Sequence, residues 1–262
     1  MLLFDRQAVL TINGKEYRSY DIDIEFFVPF STENEPDVSE ISIYNLSPST
    51  IAGIHKSSAV TLSAGYGADM GMIVSGQVAD FTTEIENVDK KTTLKIASAI
   101  NTWKEQKINK TYAPGTTAKS IMSDLISSFG VAIADMDLVK NVTYSKGKTV
   151  SGRLKDVVKA IAKETESKFY IDKERAYIRP YSKGTATGFL LSRDTGLVGS
   201  PKQVQVGEDA KLSMQGWSVE CLLNHNIFAD SIIVIKSNMV NGTFRVVKGS
   251  HTSEWITQME VV

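Results

Sequence analysis

The chain carries a single cysteine, Cys221, among 262 residues. One thiol can form neither an internal disulfide nor a multi-cysteine zinc site. In its strand-like run Cys221 reads as a small buried hydrophobe. Histidine is almost as scarce: His55, His225 and His251 are scattered, with no metal-ligand spacing and no HExxH. His251 falls at an expected turn and reads as an exposed or capping residue. No apolar run approaches the roughly 20 residues a membrane helix needs. The N-terminus MLLFDRQAVL lacks the basic and long apolar regions of a signal peptide. A soluble protein made in the cytoplasm is therefore expected. An excess of either charge is also missing, since 29 Lys and Arg meet 30 Asp and Glu for a net charge of −1. Proteins that hold nucleic acid by phosphate neutralisation are normally basic, so direct nucleic-acid binding is not the expected main task.

Catalytic constellations are missing as well. GYGADMG at 65–71 follows an expected strand but leads into another strand, and a dinucleotide site needs a helix there. KGKT at 146–149 echoes a phosphate loop, but position 142 is Val where that loop requires Gly. Asp135 and Asp137 read as a solvated connection rather than a general acid/base pair. No enzyme activity, metal or cofactor is expected.

What the chain does have is β pattern. Leu10 and Ile12 alternate up to Asn13-Gly14, a dipeptide suited to a tight hairpin turn, and Lys15 to Tyr20 form the return strand. Ile22, Ile24, Phe26 and Val28 then alternate with Asp21, Asp23 and Glu25, giving one apolar and one acidic face. That acidic row is either a solvated strand face or a functional surface. STENEPDV at 31–38 reads as an exposed acidic loop. The stretch 39–81 reads as strand, one helical turn, strand, glycine loop, strand. Its helix starts at Ser47-Pro48, with Ser as N-cap and Pro at the first helical position, and carries Ile51 and Ile54. A further hairpin around Asn87-Val88-Asp89-Lys90 brings the strands before Ala99 to about seven, which suits a closed or nearly closed barrel.

Near Trp103 the character changes, and Lys104 to Lys110 reads as a charged linker. Two similar segments follow, 36 residues apart. One has Ala118, Ile121, Leu125 and Phe129 at helical spacing, the other Leu154, Val157 and Ile161, and each leads into a short strand. Each helix has one apolar stripe and is expected to lie on a sheet. Residues 183–215, rich in Gly, Ser, Thr and Lys, read as a linker. The β pattern then returns, with Trp217, Val219 and Cys221 alternating, a tight turn at Asn241-Gly242, and an ending on Trp255, Thr257, Met259 and Val261. Hydrophobic residues make up 42% of the chain, enough for two or three small domains.

The two β regions resemble each other. VTLSA at 60, a Gly-led strand at 71 and TLKIA at 93 match IIVIK at 232, a Gly-led strand at 242 and WITQMEV at 255. The match is one of pattern, and any two β-meanders could share it.

The segments YNLSPSTIAGIHKSSAVTLSAGYG, GMIVSGQVADF, GLVGSPKQ and NGTFRVVKGSHTSEWITQMEV resemble the baseplate or tail hub proteins of tailed bacteriophages, the late-control D and gp27-like group. The resemblance covers most of the chain and keeps the order of its parts. It implies a mainly β (α+β) fold, with two tail-tube-like β-barrel domains and a small α/β domain inserted between them: 1–100, 101–182 and 183–262, the last including the linker. It also implies a homotrimer whose barrels form a pseudo-sixfold ring between the sixfold tail tube and the threefold spike or tail tip. Partners would be further copies of the chain, tail tube protein, the spike or tail-tip protein and the tape-measure protein. DNA would be passing cargo only, with no membrane involved. The place of action would be the virion, assembled in the bacterial host cytoplasm. Asp21, Asp23 and Glu25 would line the channel, and the helix bearing Ser47, Pro48, Ile51 and Ile54 would lie between subunits. A receptor- or glycan-binding tail-tip module, and the hub of a contractile bacteriocin or type VI-like injection device, remain as alternatives.

Overall fold

A computed structural model describes residues 4–32, 38–97, 106–128, 130–173, 175–207 and 214–262. The expectations for Trp103, Phe129 and residues 33–37 of the acidic loop lie outside these residues. The chain divides into two compact units, Met1–Ser98 with Thr185–Val262, and Ala99–Gly184.

The first unit opens with β1 (Arg6–Ile12), β2 (Lys15–Arg18), β3 (Ile24–Ser31), β4 (Val38–Tyr44), α1 (Pro48–Ala52), β5 (Ala59–Tyr66), β6 (Asp69–Glu86) and β7 (Asp89–Ala97). Asn13 and Gly14 make the β1–β2 turn with φ of 49° and 82°, the conformation that favours Asn-Gly there. Alternate residues point inward: Leu10 and Ile12, Phe26 and Val28, Ile41 and Ile43, Val60 and Leu62, Leu94 and Ile96 form one buried cluster. Each such side chain contributes about 1.5–3 kcal/mol by leaving water. The period of two therefore fixes which face of each strand turns inward.

The second unit holds β8 (Lys107–Tyr112), β9 (Thr116–Thr117), α2 (Ala118–Ser127), β10 (Ala132–Met136), β11 (Thr143–Tyr144), β12 (Lys148–Arg153), α3 (Leu154–Glu164), β13 (Ser167–Asp172) and β14 (Arg175–Pro180). Both helices bury one stripe, Ile121, Met122 and Leu125 on α2 and Leu154, Val158 and Ile161 on α3. Thr117 caps α2 by accepting the Ser120 N–H at 3.3 Å. The strands after the helices, β10 and β13, flank β14 in a three-stranded sheet. Of the expected linker at Lys104 to Lys110, residues 107–110 belong to β8, which pairs with β12 from Lys107↔Arg153 to Tyr112↔Lys148, and residues 104–105 lie outside the described residues. Ile108 and Tyr112 anchor that strand on the core, one apolar contact at a time. Asp135 is ion-paired with Arg179 at 2.8 Å and Lys183 at 3.1 Å, and Asp137 with Lys183 at 2.9 Å.

The first unit resumes with β15 (Thr185–Leu191), β16 (Leu197–Val206), β17 (Met214–Leu222), β18 (Ser231–Lys236), β19 (Asn241–Thr252) and β20 (Ile256–Val261). Two of these lie in 183–215, the expected linker. They are held by partners rather than by their own apolar content: β15 runs parallel to β18, and β16 is antiparallel to β17. Asn241 and Gly242 are not the turn but the start of β19, paired with Lys236 and Ile235. The bend lies before them, where the Ser237 hydroxyl donates to the Val240 carbonyl at 2.9 Å. His251 is 1% exposed inside β19, its Nδ1 2.9 Å from Thr257 Oγ1 and its ring 4.9 Å from that of Phe30. Strand pairing on both sides, rather than a turn, determines its place.

The strands of this unit form one sheet in the order β16-β17-β20-β19-β3-β4-β7-β6-β5-β1-β2, with β18 and β15 branching from β19. The seam between the N-terminal and C-terminal halves is the antiparallel ladder from Phe27↔Thr252 to Ser31↔Lys248. Among the described residues no ladder joins β3 to β5 or β16 to β18, so the two halves hydrogen-bond as a continuous sheet.

Candidate functional site

The two halves of the sheet repeat one connectivity. In the N-terminal half, β3, β4, β5, β6 and β7 lie in the order β5-β6-β7-β4-β3. In the C-terminal half, β16, β17, β18, β19 and β20 lie in the corresponding order β18-β19-β20-β17-β16. All these pairings are antiparallel. A shared irregularity supports the match. The β6–β7 ladder slips between Val78↔Ile96 and Asp80↔Lys95, and the β19–β20 ladder slips between Val246↔Val261 and Lys248↔Glu260. A bulge is a specific local feature, and its recurrence at one place in two five-stranded units is stronger evidence of duplication than strand order alone.

Cross-strand rows on the solvent face follow from these registers. In the N-terminal half Asp80, Lys95, Glu40 and Phe27 lie side by side, and in the C-terminal half Lys248, Glu260, Ser218 and Lys202 do. Unlike charges meet within both rows: Lys95 is 4.0 Å from Glu40, and Lys248 is 3.4 Å from Glu260. Such exposed pairs each contribute under about 1 kcal/mol. Their main consequence is a mixed, hydrated surface across both halves.

Asp21, Asp23 and Glu25 are all exposed, alternating with the inward Ile22 and Ile24, but only Glu25 lies within β3. Asp21 and Asp23 sit in the turn before it. Glu25 is 3.0 Å from Lys91 Nζ, which also reaches Glu86 at 3.5 Å. Hydrogen bonds to Tyr44 and Glu25 hold the Lys91 ammonium above the usual lysine range. Within the acidic row Glu25 is thus partly neutralised from β7, two strands away in the sheet.

The short helix starts as its sequence dictates. The Ser47 hydroxyl accepts the Thr50 N–H at 3.2 Å, Pro48 opens the turn, and Gly53 follows its end. Ser47 and Pro48 are exposed, Ile51 is half-buried against the core, and Ile54 is 3% exposed within it. The helix therefore presents Pro48 and its polar neighbours to solvent, while Ile54, expected on the helix, lies just beyond its end and fastens it to the core.

The contacts that interlock the halves were not visible in local sequence. Trp255, from the β19–β20 turn, packs among N-terminal residues, its ring 6.2 Å from Phe26 and 5.7 Å from Tyr66. Its φ of 65° is unfavourable for a bulky residue and is held by this packing. His225, from the β17–β18 loop, lies against Gly71 of β6, where a Cβ would fall 1.9 Å from the imidazole Cδ2. Gly65, in turn, faces the Asp69 carbonyl, which a Cβ would meet at 2.0 Å. Gly65 and Gly71 of GYGADMG thus allow close backbone and side-chain approach. Among the described residues no group of His, Cys, Asp and Glu could hold a metal ion, and no helix is long and apolar enough to cross a membrane.

No protein-family model matches the chain, and no curated protein matches it. Solved structures do. The 43 kDa tail protein of prophage MuSo2 from Shewanella oneidensis aligns over 98% of both chains with a TM-score of 0.71 at 10% identity. The tail protein from Neisseria meningitidis MC58 aligns over 98% of this chain and 96% of its own, with a TM-score of 0.70 at 7% identity. The E. coli c3393 protein, a type VI secretion component with structural similarity to the T4 bacteriophage tail proteins gp27 and gp5, gives 0.61 at 9% identity over 97% and 76%. The chain shares its mainly β fold with phage tail proteins and a type VI component along nearly its whole length.

Proposed function

We propose that this chain is the structural hub of a phage tail or baseplate. In this reading it forms a homotrimer whose six five-stranded units make a pseudo-sixfold ring. One face of the ring meets the sixfold tail tube and the other the threefold spike or tail tip, with a central channel left for DNA. The observation that carries the reading is the duplicated unit with its shared bulge. Two like units per chain, repeated by a closed threefold, give six like positions with heterologous contacts between them. The whole-length likeness in fold to tail proteins supports the same reading.

Asp21, Asp23 and Glu25 are proposed to face the channel, where negative charge keeps passing DNA from sticking. The exposed side of α1 is proposed to lie against a neighbouring subunit. The role is structural, with further copies of the chain, tail tube protein, the spike or tail-tip protein and the tape-measure protein as partners, and the virion as its place of action. A second reading, the hub of a contractile bacteriocin or type VI-like device, is favoured by the likeness to c3393. It keeps the ring and changes the cargo.

Light scattering of the purified protein, alone and with tail tube protein, tests the proposal. A trimer, or trimerisation on the tube, is the expected result, and a monomer indifferent to tube protein overturns it.

A further inference from the structure

Within the chain, the junction between the two five-stranded halves of the sheet uses one edge of each. Strand β19 is covered on one edge by β18 up to Arg245 and, beyond the end of β18, by β3 from Lys248 to Thr252. Strand β3 contributes to this seam the edge turned away from β4, which Phe27 shows by pairing with Glu40 on one side and Thr252 on the other.

The equivalent edges of the other pair are open. Strand β6 is covered by β5 up to Gln77, and Val78 exchanges hydrogen bonds with Ser57 and Ser58. Beyond that point, among the described residues, Asp80–Glu86 meet β7 on one edge and no strand on the other. Strand β16 ends the sheet, with β17 on one edge and no strand on the other among the described residues. A β edge of this length with no partner is a template for another strand.

We infer that the open edge of β6 in one copy pairs with the open edge of β16 in the next copy, as β19 pairs with β3 inside the chain. The registers already given specify the match. Asp80 corresponds to Lys248 by the bulge, and Lys202 to Phe27 by their partners Ser218 and Glu40. Transferring the seam ladder sets Asp80 opposite Val206, Phe81 opposite Gln205, Thr82 opposite Val204, Thr83 opposite Gln203 and Glu84 opposite Lys202. The last pair brings unlike charges face to face, which antiparallel ladders favour.

The β19–β20 tip carries Trp255 into the N-terminal half of its own chain. The β6–β7 tip carries Ile85 and Val88, which are 78% and 93% exposed. Two apolar side chains this exposed at one hairpin tip give a surface that a partner can bury. In the next copy they take the place on the C-terminal half that Trp255 takes on the N-terminal one.

The inference rests on the hub reading and is tested so that the two can fail separately. Chains carrying Thr83→Cys with Gln203→Cys, and others carrying Thr82→Cys with Val204→Cys, are oxidised mildly. Two consecutive pairs are used because hydrogen-bonded and non-hydrogen-bonded pairs alternate along an antiparallel ladder with different side-chain spacing, so that one pair of each kind is sampled. Burial pushes the Cys221 thiol up to about 12, so it stays out of the exchange. A covalent trimer from one of the two pairs supports both readings. A ladder of ever longer covalent oligomers supports the edge pairing and overturns the closed ring. A trimer by light scattering with no cross-link at either pair overturns the edge pairing and leaves the hub. A monomer, alone and with tail tube protein, overturns both.

A charge swap gives an independent readout. Glu84→Lys is expected to shift trimer formation to higher protein concentration than in the wild type, and adding Lys202→Glu to restore it. Unchanged assembly in Glu84→Lys, or no rescue by the double change, counts against the register. Ile85→Ser with Val88→Ser is expected to weaken assembly while leaving the thermal unfolding of the monomer unchanged.

Discussion

Phe30 lies directly over Gly249, its cross-strand partner at the seam between the two halves. A Cβ on Gly249 would fall 2.6 Å from the Phe30 ring and 2.3 Å from the Gln258 carbonyl. The glycine is what lets an aromatic from the N-terminal half close over a C-terminal strand. Gly249→Ala is therefore expected to lower the unfolding free energy by about 1–3 kcal/mol, the usual cost of overpacking. At Gly242, near the start of the same strand, a Cβ would meet only the edge of Phe244, at 3.2 Å. Gly242→Ala should stay within about 0.5 kcal/mol of wild type. Urea unfolding of the two variants gives the comparison, and equal effects would remove the seam from the explanation.

Gly71 and His225 make a second such pair, and here the neighbour can be removed. Gly71→Ala places a methyl group on the imidazole carbons and is expected to cost about 1–3 kcal/mol. His225→Ala loses packing of its own. In the double variant the clash is gone, so the two costs should fall short of their sum by about 1 kcal/mol or more, as for residues in direct contact. Additive costs in a double-mutant cycle would show that Gly71 is there for its backbone and not for the histidine.

Local chemistry was legible where it is self-contained. The Asn13-Gly14 turn, the Ser47-Pro48 helix start and the paired helix-strand segments all rest on residues within a few positions of one another, and the structure has each of them. Strands β8, β15 and β16 read as linkers because their stability comes from ladders with distant partners, with buried anchors as sparse as Leu191 and Val206. His251 read as a turn residue because nothing near it in sequence says that Phe30 and Thr257 enclose it. The duplicated pattern was visible as strand order. The bulge that makes it persuasive appears only when registers are compared.

The second unit should show a pH dependence with a local cause. Lys110 at 2.6 Å, and then the Tyr112 hydroxyl at 2.6 Å, hold the Asp124 carboxyl below the ordinary aspartate range. A carboxylate with a depressed folded-state pKa adds stability above its unfolded-state value near 4 and loses it as pH falls through the folded-state value. The site is nearly half exposed, so the contribution stays below about 1 kcal/mol. Asp124→Asn is accordingly expected to be slightly less stable than wild type at pH 7, with the gap closing on acidification below pH 4. Denaturant unfolding at a series of pH values measures the gap, and a gap that persists or widens in acid contradicts the assignment.

Asp21, Asp23 and Glu25 allow the channel proposal to be separated from any role in folding. All three are exposed, and the only ion pair involving Glu25 among the described residues is with Lys91. Exposed pairs contribute little, so Asp21→Asn, Asp23→Asn and Glu25→Gln together should move the unfolding free energy by less than about 1 kcal/mol. Trimer formation should be unaffected, because the proposed junction lies at Asp80–Glu84 and Lys202–Val206. Reversal to lysine, in contrast, would line a channel with charge that attracts phosphates. Particles assembled with Asp21→Lys, Asp23→Lys and Glu25→Lys are expected to form normally and to eject DNA more slowly, most visibly at low salt, where screening is weak. Wild-type ejection kinetics across the salt range would mean that this row faces away from the DNA path, leaving the hub itself to be judged on assembly.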